Sequence, residues 1–388
     1  VAPTVNHRIL ARLPIGTYWT TNYDNLIEAA LESTGKIADV KYTVKQLATT
    51  KSNRDAVVYK MHGDATHPAD AVLIRDDYER YHINMQPYVT ALSGDLVSKT
   101  FLFLGFSFTD PNLEYILSRV RIHYGRDQRQ HYCVLRKAKR YDNEALVDFE
   151  YRQRKEQLFA GELLRVGIKT TYVDEFEEIT AILKAVEYRH KRRTVFISGA
   201  AHEYCPWTQA ESERFVYELS REINKEKFRV ISGFGLGIGS AVISGVLEQT
   251  IMSGGRLDGE QLVLRPFPQT QSGKRPLAEL WREYRRTMLE HAGIAIFLFG
   301  NKLVDGKVVE SNGMREEFEI ARENGVFIIP IGITGSISLK LWEEVLHNFK
   351  VNDHPRGNDI LPLLQALGDD KTDLNEAKKI TLQLLRIV

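Results

Sequence analysis

Three short segments in the first third of the chain hold the residues best suited to chemistry. Asn22 and Asp24 stand in TYWTTNYDNLIE, where an apolar and aromatic strand turns into a helix, and His62 follows a predicted strand in YKMHGD. The third segment, FLFLGFSFTDPNL, ends a strand with Gly105-Phe106-Ser107. Ligands of α/β folds bind outside the carboxyl ends of the strands, so these strand ends predict one crevice lined by an amide, a carboxylate and an imidazole.

The order of these segments resembles a known catalytic core. TTNYD, HG and GFS follow the chain order of the T-x-N-x-D, H-G and G-x-S signatures of sirtuins, and the resemblance extends over roughly residues 15 to 185. It implies NAD⁺ as the substrate and cleavage of the N-glycosidic bond between nicotinamide and ribose. The leaving group of that bond already carries a positive charge, so the reaction needs a held ribose and a nucleophile more than it needs a strong acid.

The resemblance assigns a role to each polar residue of the crevice. It makes Asn22 and His62 the catalytic pair: the amide orients water or a ribose hydroxyl, and histidine is the residue type suited to general base catalysis near neutral pH. The carboxylate of Asp24 accepts hydrogen bonds from the carboxamide of nicotinamide. The residues implied in NAD⁺ binding are Thr21, Asp24, Gly105 and Ser107.

A structural role competes with this interpretation for part of the set. Asn22 to Asp24 could form an ordinary strand-to-helix turn with Asp24 as the N-cap, a role that is compatible with substrate binding. We expect Asp110 and Asn112, in FTDPNLEY, to be helix caps and not catalysts, with Pro111 at the first helical position.

The chain departs from protein-deacylating sirtuins at informative positions. Thr21 and Tyr23 replace the usual Gln and Ile, and a zinc ribbon with two C-x-x-C pairs cannot form, because the chain has only Cys133 and Cys205. We expect no metal site and no cofactor beyond NAD⁺ as substrate. Since the ribbon supports the cleft for acyl-lysine peptides, water becomes the expected acceptor and an NAD⁺ glycohydrolase the expected enzyme. A protein deacylase or an ADP-ribosyltransferase is the alternative.

One family feature is absent from the start of the chain. Sirtuin-like domains open with a Gly-Ala-Gly phosphate loop after their first strand, and no such loop precedes Asn22. We therefore expect that residues upstream of Val1 are missing, and that catalysis fails where this loop is absent.

Composition excludes several other classes of protein. The 388 residues include 52 Lys+Arg and 51 Asp+Glu, so the charges nearly cancel and no footprint for nucleic acid is present. The sequence contains no run of uncharged apolar residues long enough for a membrane span and no signal-peptide pattern. Two cysteines cannot build a disulfide framework. A cytoplasmic protein is expected.

Strands alternate with helices along the chain, which predicts parallel sheets covered on both faces. We predict two Rossmann-like, doubly wound α/β domains over residues 1–190 and 194–388, separated near 189–193 by the basic joint HKRR. The predicted strands include 17–22, 57–62, 100–106, 131–136 and 168–173 in the first domain and 261–267, 294–299 and 327–333 in the second.

Helical patterns fill the intervals. The apolar face of 25–33 predicts a helix that Gly35 can terminate, and the helical region 75–99 is expected to break near Pro87. Further predicted helices cover 208–225 and 276–291, and three amphipathic helices follow Ile337.

The second domain opens with two glycine-rich turns, ISGAA and ISGFGLGIG, each after a strand and before a helix. Backbone N–H groups in such turns lie at the positive end of the helix dipole, where phosphate binds. The candidate nucleotide-binding residues in these turns are Ser198, Gly199, Gly233, Phe234, Gly235 and Gly237.

A third loop, SNGMREEFEIA, resembles the P-G-G-x-G-T-x-x-E motif of Lonely Guy-type phosphoribohydrolases, with Glu317 at the acidic position. The double glycine is absent and Met314 replaces the threonine, so we infer a nucleotide-binding relative that has lost hydrolysis, as in the SLOG sensor domains. A retained phosphoribohydrolase is the weaker alternative. Arg285 and Lys302 are the expected phosphate ligands, whereas Arg282 and Arg286 fit a solvated helix face.

A sirtuin-like domain followed by a SLOG domain resembles the NAD-degrading effectors of Thoeris anti-phage systems. The resemblance implies that a TIR-domain partner makes a cyclic ADP-ribose isomer after infection and that the SLOG domain binds it. It also implies a homo-oligomer, a tetramer or higher, whose sirtuin-like domain then hydrolyses NAD⁺. The alternative from a different class is a nucleotide-binding regulator whose Asn22 and His62 no longer catalyse.

Overall fold

Parallel strands alternating with helices build both units of the chain. The computed structural model describes residues 2–106, 108, 110–256, 259, 261–268 and 275–388. By their contacts these divide into two units, Val1–Glu187 and Tyr188–Val388. Within the described part of the chain, no helix combines the length and the apolar character that crossing a membrane requires.

The first unit contains six strands and nine helices among its described residues, the last helix running past its end. The strands are β1 Thr17–Thr20, β2 Ala38–Lys41, β3 Ala56–Lys60, β4 Leu102–Phe103, β5 His131–Arg136 and β6 Ile168–Val173. The helices are α1 Val5–Arg12, α2 Leu26–Ser33, α3 Val44–Leu47, α4 Arg75–Glu79, α5 Tyr81–Asn84, α6 Gln86–Ser98, α7 Pro111–Tyr124, α8 Leu146–Arg165 and α9 Glu177–Lys191.

These strands form two three-stranded parallel sheets, ordered β1-β3-β2 and β4-β5-β6. A common apolar cluster joins them: Trp19 of β1 packs against the same group of buried residues as Cys133 of β5 and Leu92 and Leu96 of α6. In β1, Thr20 is paired with Lys60, the last residue of β3, so both strands end at the same edge. This edge carries the loops that contain Asn22 and His62.

The second unit contributes seven strands and seven further helices among its described residues. The strands are β7 Thr194–Ala200, β8 Arg229–Ser232, β9 Leu262–Leu264, β10 Ile294–Phe299, β11 Asn301–Val304, β12 Lys307–Glu310 and β13 Phe327–Pro330. The helices are α10 Gln209–Lys225, α11 Gly239–Met252, α12 Leu277–Glu290, α13 Asn312–Glu323, α14 Ser336–Asn348, α15 Gly357–Ala366 and α16 Leu374–Ile387.

A five-stranded parallel sheet, ordered β13-β10-β7-β8-β9, forms the centre of this unit. Alternate residues of its strands enter opposite cores: Val195 and Ile197 face one cluster, which includes residues of α10, α11, α15 and α16. Phe196 faces the other cluster, with Met288 of α12 and Phe318 of α13. Burial of both faces confirms the predicted doubly wound α/β architecture.

The predicted elements agree with the structure in most places. The strands at 131–136, 168–173 and 294–299 have the predicted bounds, and helices α14 to α16 are the three expected at the end of the chain. The helical region 75–99 divides into α4, α5 and α6, the last beginning one residue before Pro87.

Three strands were not predicted, and several are shorter than expected, among them β9, which covers Leu262–Leu264 of the predicted 261–267. β2, and the antiparallel hairpin of β11 and β12, are additional, whereas the strand expected over 100–106 is reduced to the two residues of β4. The sequence placed the domains at 1–190 and 194–388; α9 ends at Lys191 and β7 begins at Thr194.

Candidate active site and nucleotide pocket

The loop after β1 presents the first candidate residues. Asn22 is exposed, its N–H donates to Thr20 Oγ1 at 3.0 Å, and its side chain makes no hydrogen bond within the described residues. Asp24 is also exposed, and its Oδ1 accepts the N–H of Leu26 at 3.1 Å, which starts α2. The N-cap position itself is occupied by Asn25. The Asp24 carboxylate therefore shapes the turn, while the Asn22 amide is available to a ligand.

The turn after β3 holds His62 in a buried setting. Its ring packs edge-on against Tyr78, with centroids 5.1 Å apart, and its carbonyl accepts the N–H of Val72 at 2.8 Å. Gly63 follows with φ +97°, and a Cβ there would lie 2.7 Å from Ala71 Cα. Glycine is required at this position for both reasons. The result is a fixed turn that orients the imidazole.

Asp110 is the main functional candidate that the sequence interpretation missed. It caps α7 as predicted, since its Oδ1 accepts the N–H groups of Asn112 and Leu113 at 2.8 and 3.2 Å, and Pro111 begins the helix. Its Oδ2 also lies 2.9 Å from His62 Nε2. The two atoms are at ion-pair distance, although Nε2 makes no well-aligned hydrogen bond.

The charge of Asp110 follows from its surroundings. Burial raises the pKa of this carboxyl. The imidazole of His62 and the N–H groups at the start of α7 lower that pKa by more than burial raises it, so the net pKa lies below its ordinary value. A carboxylate beside Nε2 favours the proton on that nitrogen and leaves Nδ1 as the basic atom. A carboxylate at this distance from an imidazole is the pairing that general-base histidines use.

Backbone contacts bring the Asn22 loop and the His62 turn together. The N–H of Met61 donates to Thr20 O, and the N–H of Ala65 donates to Tyr23 O, both at 2.9 Å. Tyr23 and His62 lie with ring centroids 6.4 Å apart. The amide and the imidazole therefore lie on adjoining segments at one edge of the sheet.

The other residues predicted to bind NAD⁺ are less closely linked to this pair. Thr21 is half-buried directly after β1. Gly105 is exposed on the loop that leads to Asp110, and its φ of +63° demands glycine, but a Cβ there would meet nothing within 4 Å. Ser107 lies outside the described residues.

Potential metal ligands are not clustered in the described ranges of the chain. No group of three or more His, Cys, Asp or Glu residues there could hold a metal ion. Cys133 is buried in the first unit and Cys205 is exposed in the second, and neither forms a disulfide.

In the second unit, the glycine-rich turns follow neighbouring strands. A Cβ on Gly235 would collide with Gly199 O, and one on Gly237 with Ala201 O. These glycines therefore permit two loops to pack on each other, a role that does not depend on a ligand. Phe234, directly before Gly235, has φ +57° and is 47% exposed. Strained and exposed aromatic residues of this kind are common in binding sites.

Ser198, Glu317 and Arg285 meet at the switch between β7 and β10, the position where ligands of doubly wound folds bind. Ser198 Oγ donates to Glu317 Oε2 at 2.5 Å, and Arg285 Nε lies 3.5 Å from Glu317 Oε1. Burial raises the pKa of Glu317, and the contacts with Ser198 and Arg285 only partly oppose that effect. Three predicted pocket residues from distant parts of the chain are thus in contact.

Arg285 has further neighbours that fit an anion site. Its Nη1 donates to Glu316 Oε2 at 2.6 Å, and its guanidinium lies 4.9 Å from the centroid of the Phe267 ring. A Cβ on Gly313, in the first turn of α13, would lie 2.7 Å from Nη2. The N-cap of that helix makes no side-chain hydrogen bond. The N–H of Met314 donates to Ser311 O, so among the described contacts the N–H groups of Asn312 and Gly313 are the ones left for a ligand.

The residues around Arg285 differ from the predicted set at two positions. Lys302 lies half-buried on β11, makes no ion pair among the described residues, and has no contact there with Arg285 or Glu317. Phe267 was not predicted, although its ring lies between Arg285 and Gly233, where a Cβ would be 2.7 Å from it. An aromatic residue in the polar segment RPFPQ was the available signal.

Family models match both units. A model described as the Sir2- and TIR-associating SLOG family matches residues 178–388. A model described as a SIR2-like domain matches residues 16–159. Both resemblances inferred from the short motifs are confirmed.

Three similar proteins are named NAD(+) hydrolase ThsA. The relative from Bacillus cereus (strain MSX-D12) is 57% identical over 385 residues, which are 99% of this chain and 80% of that protein. The relative from Acinetobacter baumannii (strain 532279) is 44% identical over 392 residues, 100% of this chain and 81% of that protein. The relative from Cytobacillus dafuensis is 48% identical over 352 residues, 89% of this chain and 71% of that protein. With a SIR2-like unit followed by a SLOG unit and such relatives along its length, the chain belongs to the ThsA-type Thoeris effectors.

Proposed function

We propose that this chain is an NAD⁺ hydrolase of anti-phage defence that releases nicotinamide and ADP-ribose. The observation that carries the proposal is the placement of the exposed Asn22 amide and the His62–Asp110 pair on adjoining segments at the ends of β1 and β3. Relatives named NAD(+) hydrolase, 44–57% identical to this chain, support it. NAD⁺ is the substrate here and is consumed.

The chemistry divides between the two side chains. The bond between ribose C1′ and the nicotinamide nitrogen breaks, and its electron pair returns to the ring, which leaves as neutral nicotinamide. Asn22 holds the ribose or the attacking water without titrating, and His62 accepts the proton of that water through Nδ1. Water oxygen bonds to C1′, and ADP-ribose results. Oriented general base catalysis contributes roughly 10²–10⁴-fold to such rates.

The substrate contacts follow from the surrounding loops. The Asp24 carboxylate, whose Oδ1 accepts the N–H of Leu26, binds the carboxamide of nicotinamide. Thr21, Gly105 and Ser107 bind the ribose and phosphates. The acceptor is water, since two cysteines cannot build the zinc ribbon of protein-deacylating sirtuins.

Regulation is assigned to the second unit. A cyclic ADP-ribose isomer, made by a TIR-domain partner, binds its pocket and activates hydrolysis in a homo-oligomer. The cluster of Ser198, Glu317 and Arg285 supports this proposal, as does the exposed ring of Phe234 for base stacking. The matched family's description as TIR-associating supports the choice of partner.

Site-directed variants test the catalytic assignment. The full-length protein is incubated with NAD⁺, with and without cyclic ADP-ribose isomers, and nicotinamide and ADP-ribose are separated by chromatography. Asn22→Ala and His62→Ala are expected to abolish release while the protein still binds the isomer. ADP-ribose recovered on protein would indicate a transferase, and NAD⁺ binding without turnover would indicate a regulator.

A second pair of variants tests the sensing pocket. Arg285→Ala is expected to abolish activation by the isomer, because it removes the cation that contacts Glu317. Lys302→Ala tests whether the cation predicted from the sequence also takes part, although its side chain does not contact Arg285 or Glu317 among the described residues. Circular dichroism and thermal melting serve to establish that both remain folded. Activation equal to that of the unaltered protein in either variant would remove that residue from the pocket.

A further inference from the structure

Lys60 is a fully buried cation at the end of β3. Its side chain has 0% of its surface exposed, and it stands opposite Thr20 at the edge where the catalytic loops begin. A charge in this position is costly unless its hydrogen-bonding capacity is satisfied.

Four oxygens surround the ammonium group. Nζ donates to Asp24 O at 2.6 Å, to Tyr23 O at 3.1 Å and to Asp64 Oδ2 at 2.5 Å. Glu28 Oε1 of α2 lies 3.1 Å away. The three N–H donors of the lysine are therefore engaged by backbone and carboxylate oxygens.

Three of these oxygens belong to the two segments that carry the catalytic pair. Tyr23 directly follows Asn22, and Asp64 is two residues after His62. Asp64 in turn accepts the N–H of Thr66 at 2.8 Å, which fixes the turn. Lys60 thus joins the Asn22 loop to the His62 turn through one charged centre.

We propose that Lys60 is a positioning residue that sets the relative placement of Asn22 and His62 for cleavage of the nicotinamide bond. The inference rests on the proposed NAD⁺ hydrolase function. Lys60 acts on the backbone of one catalytic segment and on the carboxylate of the other, and has no contact with the reacting atoms. A misplacement of about 1 Å in such a pair can reduce a rate about 100-fold.

A second buried lysine provides the matched control. Lys41 on the adjoining strand β2 is nearly as buried, pairs with Asp39 Oδ1 at 2.7 Å and donates to Thr49 O at 2.7 Å. Its contacts include neither the Asn22 loop nor the His62 turn. A purely structural role for buried lysines in this sheet predicts the same outcome for both.

The test compares Lys60→Met with Lys41→Met in the full-length protein. Both are expected to lower Tm, but Lys60→Met lowers kcat for nicotinamide release about 100-fold with KM changed less than about threefold. Per folded molecule, Lys41→Met retains kcat. Equal losses in the two variants, or an unchanged kcat in Lys60→Met, would overturn the inference.

Two further measurements test the inference if Lys60→Met does not fold. Lys60→Arg keeps the buried charge but cannot place one nitrogen among four oxygens, so kcat is expected to fall at least about tenfold. For Lys60→Ala, methylammonium is expected to restore kcat saturably, whereas tetramethylammonium, which has no N–H donor, does not. Retained kcat in Lys60→Arg or equal rescue by both ions would contradict the inference.

Amide exchange separates this inference from the proposed function. Hydrogen exchange at residues 22–25 and 63–66 is expected to accelerate in folded Lys60→Met and not in Lys41→Met. An inactive full-length protein with that exchange pattern would overturn the hydrolase function alone. An active full-length protein in which Lys60→Met shows neither faster exchange at these residues nor a changed kcat would overturn the role of Lys60 and leave the hydrolase function intact.

Discussion

Replacing Asp110 with Asn is the most informative change at the candidate active site. The carboxylate lies 2.9 Å from His62 Nε2 and also caps α7. Asparagine caps helices about as well as aspartate, so the variant keeps the fold and removes the charge. Its Nδ2 can also donate to Nε2, which favours the proton on the wrong imidazole nitrogen.

The expected loss follows from the strength of that contact. A hydrogen bond to a charged group contributes about 1.5–3 kcal/mol, and each 1.4 kcal/mol changes a rate about tenfold. Because Nε2 is not well aligned with Asp110, we expect the lower part of that range, about a 10- to 50-fold decrease in kcat. KM is expected to stay within about threefold, since Asp110 contacts His62 and not the substrate.

The assay measures nicotinamide release by the full-length protein between pH 5.5 and 9. Asp110 remains charged over this range, because its pKa lies below the ordinary value for a carboxyl despite the opposing effect of burial. Asp373→Asn is the control: Asp373 caps α16 by accepting the N–H of Glu376 at 2.8 Å. Each change is expected to cost about 0.3–1 kcal/mol of stability, from the lost charge at a helix N-terminus.

Two results would refute this reasoning. A kcat for Asp110→Asn equal to that of the unaltered protein would show that the carboxylate does not orient His62. An equal loss in Asp373→Asn would assign the effect to helix capping.

Three further changes have defined outcomes. Gly63→Ala is expected to lower the free energy of unfolding by about 2–4 kcal/mol in urea, since it adds a left-handed alanine and a contact of 2.7 Å with Ala71. Burial, and a neighbouring arginine second, lower the pKa of His131 to about 4. The unfolded chain therefore binds more protons, and stability falls from pH 6.5 toward 4 by up to about 1.4 kcal/mol per pH unit, a slope that His131→Gln removes. Glu316→Gln releases Arg285 from a competing carboxylate and is expected to lower the isomer concentration for half-maximal activation several-fold.

Each of these has a control or a contradicting result. Gly35→Ala is the control for Gly63→Ala, because residue 35 has φ +73° but open space around an added Cβ. It should lower the free energy of unfolding by only about 1–2 kcal/mol. Equal losses in the two variants would show that the contact with Ala71 contributes nothing. An unchanged acid slope in His131→Gln would assign the slope to other groups. Glu319→Gln is the control for Glu316→Gln: Glu319 lies on the same helix but pairs with Arg315 and Arg322, so activation should be unchanged. Weaker activation of Glu316→Gln would contradict the idea that Glu316 competes with the ligand for Arg285.

The sequence was sufficient where local patterns are strong. Continuous apolar runs between turn signals predicted β10 and the sheet of the second unit, and the pair Asp110-Pro111 predicted the start of α7. The strand ends that carry Asn22 and His62 were also predicted, because polar residues directly follow apolar strands there.

Other features depend on contacts that no local pattern contains. β2 was missed because Asp39 and Lys41, which are buried, are charged and neutralise each other, so the usual apolar alternation is absent. The contact of Asp110 with His62 joins residues 48 positions apart, and the burial of Lys60 depends on three separate segments. The hairpin of β11 and β12 had a signal, Asp305-Gly306 between the two strands, which the sequence interpretation did not use.

Hydrolysis in ¹⁸O-labelled water determines whether water cleaves NAD⁺ at the Asn22 and His62 site. The full-length protein is incubated with NAD⁺, with and without a cyclic ADP-ribose isomer, and the products are identified by mass spectrometry. We expect equal amounts of nicotinamide and of ADP-ribose that carries one ¹⁸O atom at C1′, with no release from His62→Ala. Unlabelled or protein-bound ADP-ribose, or undiminished release from His62→Ala, would contradict cleavage by water at this site.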